Sequence, residues 1–389
     1  MFKWLIIGGG IQGIAAASFL RESSKIKAED ICILDPHDEP LRHWDRCTSL
    51  ISMPYLRSPS VHHLERDPFA LQKHERKRPD PRSFYGRYKR PSLDLFNTHS
   101  ADLISKLAIR KSWVQDRAQS ILRSGSCWKV SGESGNLYSA EHVILAIGIG
   151  EQPALPEWAE KLARDCSEPV YHIFDQHLPP LETLEGPIVV AGGGITAAHL
   201  LIKLSDLYPG NVKQVIRHPH RIHDFDSDPA WIGQKNQGPF RKVSSYAERR
   251  KMIREARHRG SMPRELSLKL KKLVHDGKIE SVTGNITSIE KQQTSLSILL
   301  KEWPEPLNAG TVLLATGFEN KLPGAELLAP LIEQEDLLCS ECGYPIVSPS
   351  LEWKSGLYVM GALAELEMGP IARNIAGARQ AAEKIADTI

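Results

Sequence analysis

The chain has no uninterrupted apolar run long enough to span a bilayer, so no membrane span is expected. Its charges nearly cancel, 49 Lys and Arg against 47 Asp and Glu, and the net +2 excludes the global pull toward nucleic acid of a strongly basic protein. Cysteine is sparse. Six residues, at 32, 47, 127, 166, 339 and 342, do not form a disulfide framework in 389 residues, and a reducing cytoplasm is the natural compartment. Cys339 and Cys342 stand as CxxC, but a zinc knuckle needs two more ligands and no second CxxC exists, so they read as unpaired thiols in a loop. No metal-ligand cluster and no GxSxG nucleophile turn occurs. Composition is otherwise ordinary, 41% hydrophobic and 25% charged, with room for two or three globular domains.

What is present begins at once. Residues 2–35 comprise an apolar strand, a glycine turn, a helix and a second strand ending in an acid. Gly8, Gly10 and Gly13 stand as GxGxxG: the first permits the tight turn, the second lets the backbone approach a pyrophosphate, and the third lets helix pack on strand. The helix N-terminus then offers free N–H groups and a positive dipole end to phosphate. Asp35 closes the second strand about 20 residues on, where a carboxylate accepts hydrogen bonds from a ribose. A secretory leader over residues 3–20 is not expected, because the glycines interrupt the run and no small-residue cleavage site follows.

From Pro36 to about Ser100 the pattern becomes irregular and rich in Pro, Arg, His and aromatics, the kind of long loop that covers a cofactor. Arg57, His62 and His63 lie in it, with Glu65 and Asp67 as alternative partners. A helix is expected over 92–107, then short strands at 113–114, 121–122 and 128–130 forming a small antiparallel meander, and a buried strand ending at Gly148. Residues 153–180 carry five prolines and read as a connector with one short helix, marking a domain boundary near 180; His172 in it reads as structural.

The opening pattern then repeats. Ile188 to Ala191 is a strand, Gly192, Gly193 and Gly194 make the turn with Thr196 and Ala197 after them, and Val212 to Ile216 is the second strand. It ends not in an acid but in Arg217, with Arg221 just beyond, and a cation there suits a ribose 2'-phosphate, so NADPH is expected over NADH. Residues 241–278 hold 13 Lys or Arg against four acids and read as two amphipathic helices with a solvated basic face. A further buried strand ends at Gly317, a last strand ends at Gly361, residues 362–369 read as a loop, and Pro370 reads as the first residue of the C-terminal helix.

Two glycine turns, each followed by a strand ending in Ala-x-Gly (146–148 and 315–317), resemble the two-dinucleotide-binding-domain flavoproteins. Within them, residues 314–318 and 55–71 are most similar to the N-hydroxylating lysine or ornithine monooxygenases, whose motif ends in Tyr where this chain has Phe318. The resemblance implies an α/β fold of two Rossmann-like domains, the second inserted in the first: FAD on residues 1–165 with 319–389, NADPH on 180–318. It implies that NADPH reduces FAD, and that a flavin hydroperoxide delivers one oxygen atom from O2 to a small amine or other soft nucleophile. Gly8, Gly10, Gly13 and Asp35 would then serve FAD, and Gly192, Gly194, Ala197 and Arg217 NADPH, with Gly148, Thr196, Arg221, Gly317 and Gly361 as further cofactor-binding positions and Arg57 as a catalytic candidate near the flavin. The first turn lacks the proline those hydroxylases carry, and the FxGxxxHxxxW pattern is not met around His172, where Cys166, Glu168 and Gln176 stand in its Phe, Gly and Trp places. A flavin reductase serving a quinone, disulfide or protein acceptor, and an FAD-binding scaffold or sensor, are the alternatives.

Overall fold

The computed structural model describes residues 1–23, 25–150, 152–165, 168–293 and 295–388; Cys166 lies outside them. In chain order the elements that frame the sites are β1 (Phe2–Ile7), α1 (Ile11–Glu22), β2 (Ile31–Asp35), α2 (Arg42–Leu50) and α3 (Leu93–Lys106). Next come β3 (Trp113–Gln115), β4 (Ala118–Ser124), β5 (Cys127–Gly132), β6 (Leu137–Leu145), β7 (Val170–His172), β8 (Ile188–Ala191), α4 (Ile195–Leu207) and β9 (Val212–Ile216). The last are α5 (Tyr246–Ala256), α6 (Arg264–His275), β10 (Glu280–Thr283), β11 (Thr311–Leu314), β12 (Glu352–Lys354), β13 (Leu357–Val359) and α7 (Ile375–Ala386).

Two sheets organise the molecule, the first parallel apart from its antiparallel β12–β13 edge and meander. The first runs β12-β13-β6-β1-β2-β3, with β4 and β5 attached to β6 as an antiparallel meander. The second runs β10-β9-β8-β11-β7, parallel throughout, and all its strands fall between the early and late strands of the first. The α/β class expected from the alternation of strands and helices is therefore the one observed, with the second sheet inserted into the first.

The strand residues explain the layering. Ile6, Ile33, Ile144 and Val359 in the first sheet, and Val189, Val190, Val312 and Leu313 in the second, are all fully buried. Apolar residues at consecutive positions suit a parallel sheet covered on both faces. Ala15, Ala16 and Ala17 let α1 pack closely on α7, which brings Ala378, Ala381 and Ala382 into the same core. In the second unit α4 and α6 cover one face, and the 157–165 helix with the 286–309 strands covers the other.

Four local expectations are corrected. The irregular stretch 36–100 holds α2, a short helix at Ala70–Glu75 and a two-residue hairpin pairing 84–85 with 90–91, whereas the helix expected over 92–107 is present as α3, which Ser92 caps by accepting from the Leu95 N–H at 3.1 Å. Trp113 is not in the meander but joins the parallel sheet opposite Ile33, because Gly9 leaves room for its ring. The connector before 180 contributes β7 as an edge strand of the second sheet, Val170 opposite Val312, so that sheet begins ahead of the expected boundary. Finally, residues 361–373 wind as short helical turns, Pro370 sits in the 3-10 turn Gly369–Arg373, and α7 starts only at Ile375 because Asn374 is extended (φ −92°, ψ 164°).

Candidate dinucleotide-binding sites

At the end of β1 the chain turns at Gly8 (φ +105°), whose N–H donates to the Leu34 carbonyl at 2.9 Å. A Cβ on Gly8 would fall 2.7 Å from the Ala146 carbonyl oxygen, and one on Gly13 would fall 1.8 Å from the Gly8 carbonyl oxygen. Both glycines are therefore set by backbone packing. Gly10 is different. Nothing lies within 4 Å of its Cβ position, and it is the N-cap of α1 with no side-chain cap, so the first N–H groups of the helix are free for an anion.

Asp35 is buried, and its carboxylate is already engaged. Oδ2 accepts from the Gly9 N–H at 2.6 Å, and Oδ1 accepts from the His37 N–H at 2.9 Å and lies 2.8 Å from His37 Nδ1. The acid thus fixes the turn that it accompanies while keeping spare lone pairs. Gly361 (φ +63°) comes in from the last strand against Gln12, 3.2 Å from Cβ position to Cγ. Gln12 donates from Nε2 to the Ala372 carbonyl at 3.1 Å, while its Oε1 is buried with no hydrogen-bond partner. Gly148 lies exposed beyond β6, two residues before Gly150, whose Cβ would strike His43.

The second turn repeats the geometry. Gly192 (φ +150°) donates to the Val215 carbonyl at 3.0 Å, and its Cβ would fall 2.5 Å from the Ala315 carbonyl oxygen. Ala146 and Ala315 thus play the same part at the two turns. Gly194 is an N-cap without a side-chain cap, Thr196 lies half-buried in the first turn of α4, and Ala197 packs in the core. A second loop closes over this turn: the Gly194 Cβ position is 3.3 Å from the Cα of Gly260 (φ +64°). Arg217 is exposed just past β9, and Arg221 is exposed with Nη1 3.4 Å from the Arg259 carbonyl. Gly317 (φ +80°) accepts at its carbonyl from the Ala154 N–H at 2.9 Å and faces His172 Nε2 at 3.0 Å. His172 accordingly holds the end of β11, and burial lowers its pKa.

Arg57, the catalytic candidate, is held by the second unit. Its guanidinium donates to the carbonyls of Asp224 (3.1 Å), His223 (2.7 Å) and Phe225 (2.9 Å) and to Ser261 Oγ (2.8 Å). These bonds tie the loop that follows α2 to the second unit. Arg46 donates to the Phe174 carbonyl at 2.8 Å and Lys203 to the Leu50 carbonyl at 3.1 Å, so α2 is fastened there as well.

Sequence reasoning missed a charge cluster. Glu365, 1% exposed, meets Arg250 at 2.8 Å, Arg257 at 3.0 Å and Arg373 at 2.5 Å. Arg250 and Arg257 come from the stretch read as a solvated basic face, and they turn inward. The only signal was the excess of arginine over lysine at 249–259, since a planar guanidinium is the cation that tolerates burial. The five described cysteines are free. Burial pushes Cys32 up to about 12 and Cys47 up to about 11.

The family model of the pyridine nucleotide-disulphide oxidoreductases matches residues 2–383. The chain belongs to this family. Eighty-eight residues of this oxidoreductase are 33% identical to an uncharacterized CzcO-like oxidoreductase of Geobacillus kaustophilus (strain HTA426), 22% of this chain and 24% of that one. The match therefore spans about a quarter of the length of that curated relative. Among solved structures, the reduced form of the ornithine hydroxylase of Pseudomonas aeruginosa is similar with a TM-score of 0.77 at 18% identity, over 100% of this chain and 98% of that one. The ornithine N-hydroxylase of Kutzneria sp. 744, with reduced FAD, NADP⁺ and L-orn, is similar with a TM-score of 0.77 at 16% identity, over 100% and 98%. At these identities the likeness is one of fold. No helix among the described residues is long and apolar enough to cross a membrane.

Proposed function

We propose that this oxidoreductase binds FAD at the first glycine turn and NADPH at the second, and works as a monooxygenase that places one oxygen atom on a small amine or another soft nucleophile. The carrying observation is the paired cradle. Gly10 and Gly194 each cap a helix with bare N–H groups, while Gly8 and Gly192 press on matching strand-end carbonyls. That geometry suits two dinucleotides, and at Gly10 it leaves open the space where a side chain would block a pyrophosphate. The unpartnered Oε1 of Gln12 beside Gly361 adds a polar acceptor at the first cradle.

Residues 1–165 with 319–389 form the FAD unit and residues 180–318 the NADPH unit, with β7 added to the latter. Bound FAD would supply the redox chemistry that activates oxygen. The chain's own groups would bind and orient: the α1 and α4 N-termini would take the pyrophosphates, Asp35 would serve the ribose, and Arg217 would meet the 2'-phosphate. Phe174 and Phe318 stack at 5.8 Å with His172 beside them, an aromatic cluster next to Gly317. The full-length likeness to ornithine hydroxylases supports an amine as the acceptor. A reducing cytoplasm suits the five free thiols.

The test is stoichiometric. Purified protein is supplied with FAD, NADPH and oxygen, and NADPH consumed, hydrogen peroxide released and hydroxylamine formed are counted across a panel of small amines. An accepted amine should lower peroxide release while hydroxylamine appears in step with NADPH use. If no amine or other soft nucleophile changes the peroxide yield, and a quinone or disulfide takes the electrons instead, the protein is a reductase and the reading fails.

A further inference from the structure

Cys342 stands apart from the other described cysteines. It is exposed at the tip of a hairpin closed by the Ser340 N–H donating to the Tyr344 carbonyl at 2.9 Å and the Gly343 N–H donating to the Ser340 carbonyl at 2.8 Å. Cys339, at the base of that hairpin, packs against the main core, where burial and the Cys342 sulfur raise its pKa. Burial also pushes the Cys342 thiol up. The Ser340 hydroxyl 3.1 Å away, the Arg250 guanidinium and the Tyr344 amide outweigh it and hold Cys342 below the ordinary thiol value.

Arg250 supplies an independent observation. Its side chain is 9% exposed, its guanidinium lies 3.9 Å over the Tyr344 ring, and Nη1 donates to Glu365 Oε2 at 2.8 Å. Nε and Nη2, by contrast, are buried without a hydrogen-bond partner. These two atoms form one edge of the planar fork, the edge that takes oxygen acceptors side-on. Arg250 holds the Cys342 thiol down through a side-chain contact and its charge, while Nε and Nη2 meet no oxygen acceptor. Guanidinium N–H groups left unanswered in a buried setting are unfavourable. An oxygen atom on the sulfur would answer them.

We propose that Cys342 is a peroxide-modification site, with Arg250 as the positioning residue that activates the thiol and then receives the oxidised sulfur. The ionised sulfur attacks one oxygen of hydrogen peroxide: the S–O bond forms, the O–O bond breaks, hydroxide leaves, and the sulfur is oxidised by two electrons to a sulfenic acid. The new oxygen accepts from the free Arg250 edge. This site does not depend on the cofactor reading, since peroxide reaches an exposed thiol from solution.

The experiment uses the reduced full-length protein. Iodoacetamide alkylation at pH 7 is followed by peptide mass spectrometry. In parallel, hydrogen peroxide is added with a 1,3-dicarbonyl trap that labels sulfenic acid. Cys342 should alkylate about tenfold faster than half-buried Cys127, an ordinary thiol being only a few per cent ionised at pH 7. The trap should label Cys342 and leave Cys127 and Cys339 bare. Arg250→Lys keeps a charge but not the fork, so it should retain fast alkylation while losing most of the trapped label. Should that variant fail to fold, Ser340→Ala provides a second reading and should slow alkylation several-fold. Equal alkylation at Cys342 and Cys127, or no trapped label on Cys342, would overturn the assignment.

Discussion

Replacing Gly13 by alanine puts a Cβ 1.8 Å from the Gly8 carbonyl oxygen and 2.9 Å from its carbon, where real Cβ contacts stay beyond 3.0 Å. The shortfall is about 1.2 Å against backbone, which cannot swing aside as a flexible side chain would, so α1 must back away from β1. Overpacking of this kind costs about 1–3 kcal/mol. Each kcal/mol moves Tm by about 2–4 °C in a unit of 150–250 residues. Gly10→Ala makes the control: its Cβ meets nothing within 4 Å, and φ −78°, ψ −164° is backbone that alanine adopts freely. Its cofactor-free stability should change by less than about 0.5 kcal/mol. In the bound state that same Cβ occupies the space of a pyrophosphate, and FAD affinity should fall by about tenfold or more, at least about 1.4 kcal/mol. Melting temperatures of the cofactor-free proteins and FAD titrations followed by flavin fluorescence separate the two effects. A Gly13→Ala protein that melts with the wild type, or a Gly10→Ala protein that binds FAD undiminished, would refute the division of labour between packing and ligand approach.

Two more outcomes are expected. Arg217→Ala should weaken NADPH binding by about 10- to 100-fold and leave NADH binding nearly unchanged, because a guanidinium facing a phosphate contributes about 1.5–3 kcal/mol; equal losses for the two nucleotides in a competition titration would sink the phosphate assignment. Acid should destabilise the fold through its buried histidines. Burial, with Arg379 nearby, lowers His62 to about 4 and His63 to about 3, and burial with Lys269 and Arg90 nearby lowers His199 to about 4. Each is depressed below its unfolded value near 6.5, so the unfolded chain binds more protons as pH falls, and the stability present above about pH 6.5 is lost toward pH 4. Urea melts should show stability falling from pH 6.5 to 5 by up to about 1.4 kcal/mol per pH unit for each histidine. A flat profile over that window would contradict their burial as neutral imidazoles.

Much of the fold and of the candidate site was legible from residues 2–35 and 188–217, for a physical reason. A turn with positive φ, a helix pressed onto a strand and a strand buried on both faces are constraints on single residues and their near neighbours, so they appear as glycines at fixed spacing and as runs of Ile, Leu and Val. The parallel sheets and the repeated unit follow from that alone. Placement across the chain does not. The carbonyl partners of Arg57 lie 166 to 168 residues away, on a loop whose position only the packed units define. The arginines at 250 and 257 looked solvated, and what draws them inward is Glu365, 115 and 108 residues further on. The CxxC at 339–342 looked inert as a pair; Arg250 makes one of its thiols different. Local backbone requirements are written in local residue types. The partner of a charge is chosen by topology, because a carboxylate or sulfur buried by the tertiary fold needs whichever cation the fold brings to it.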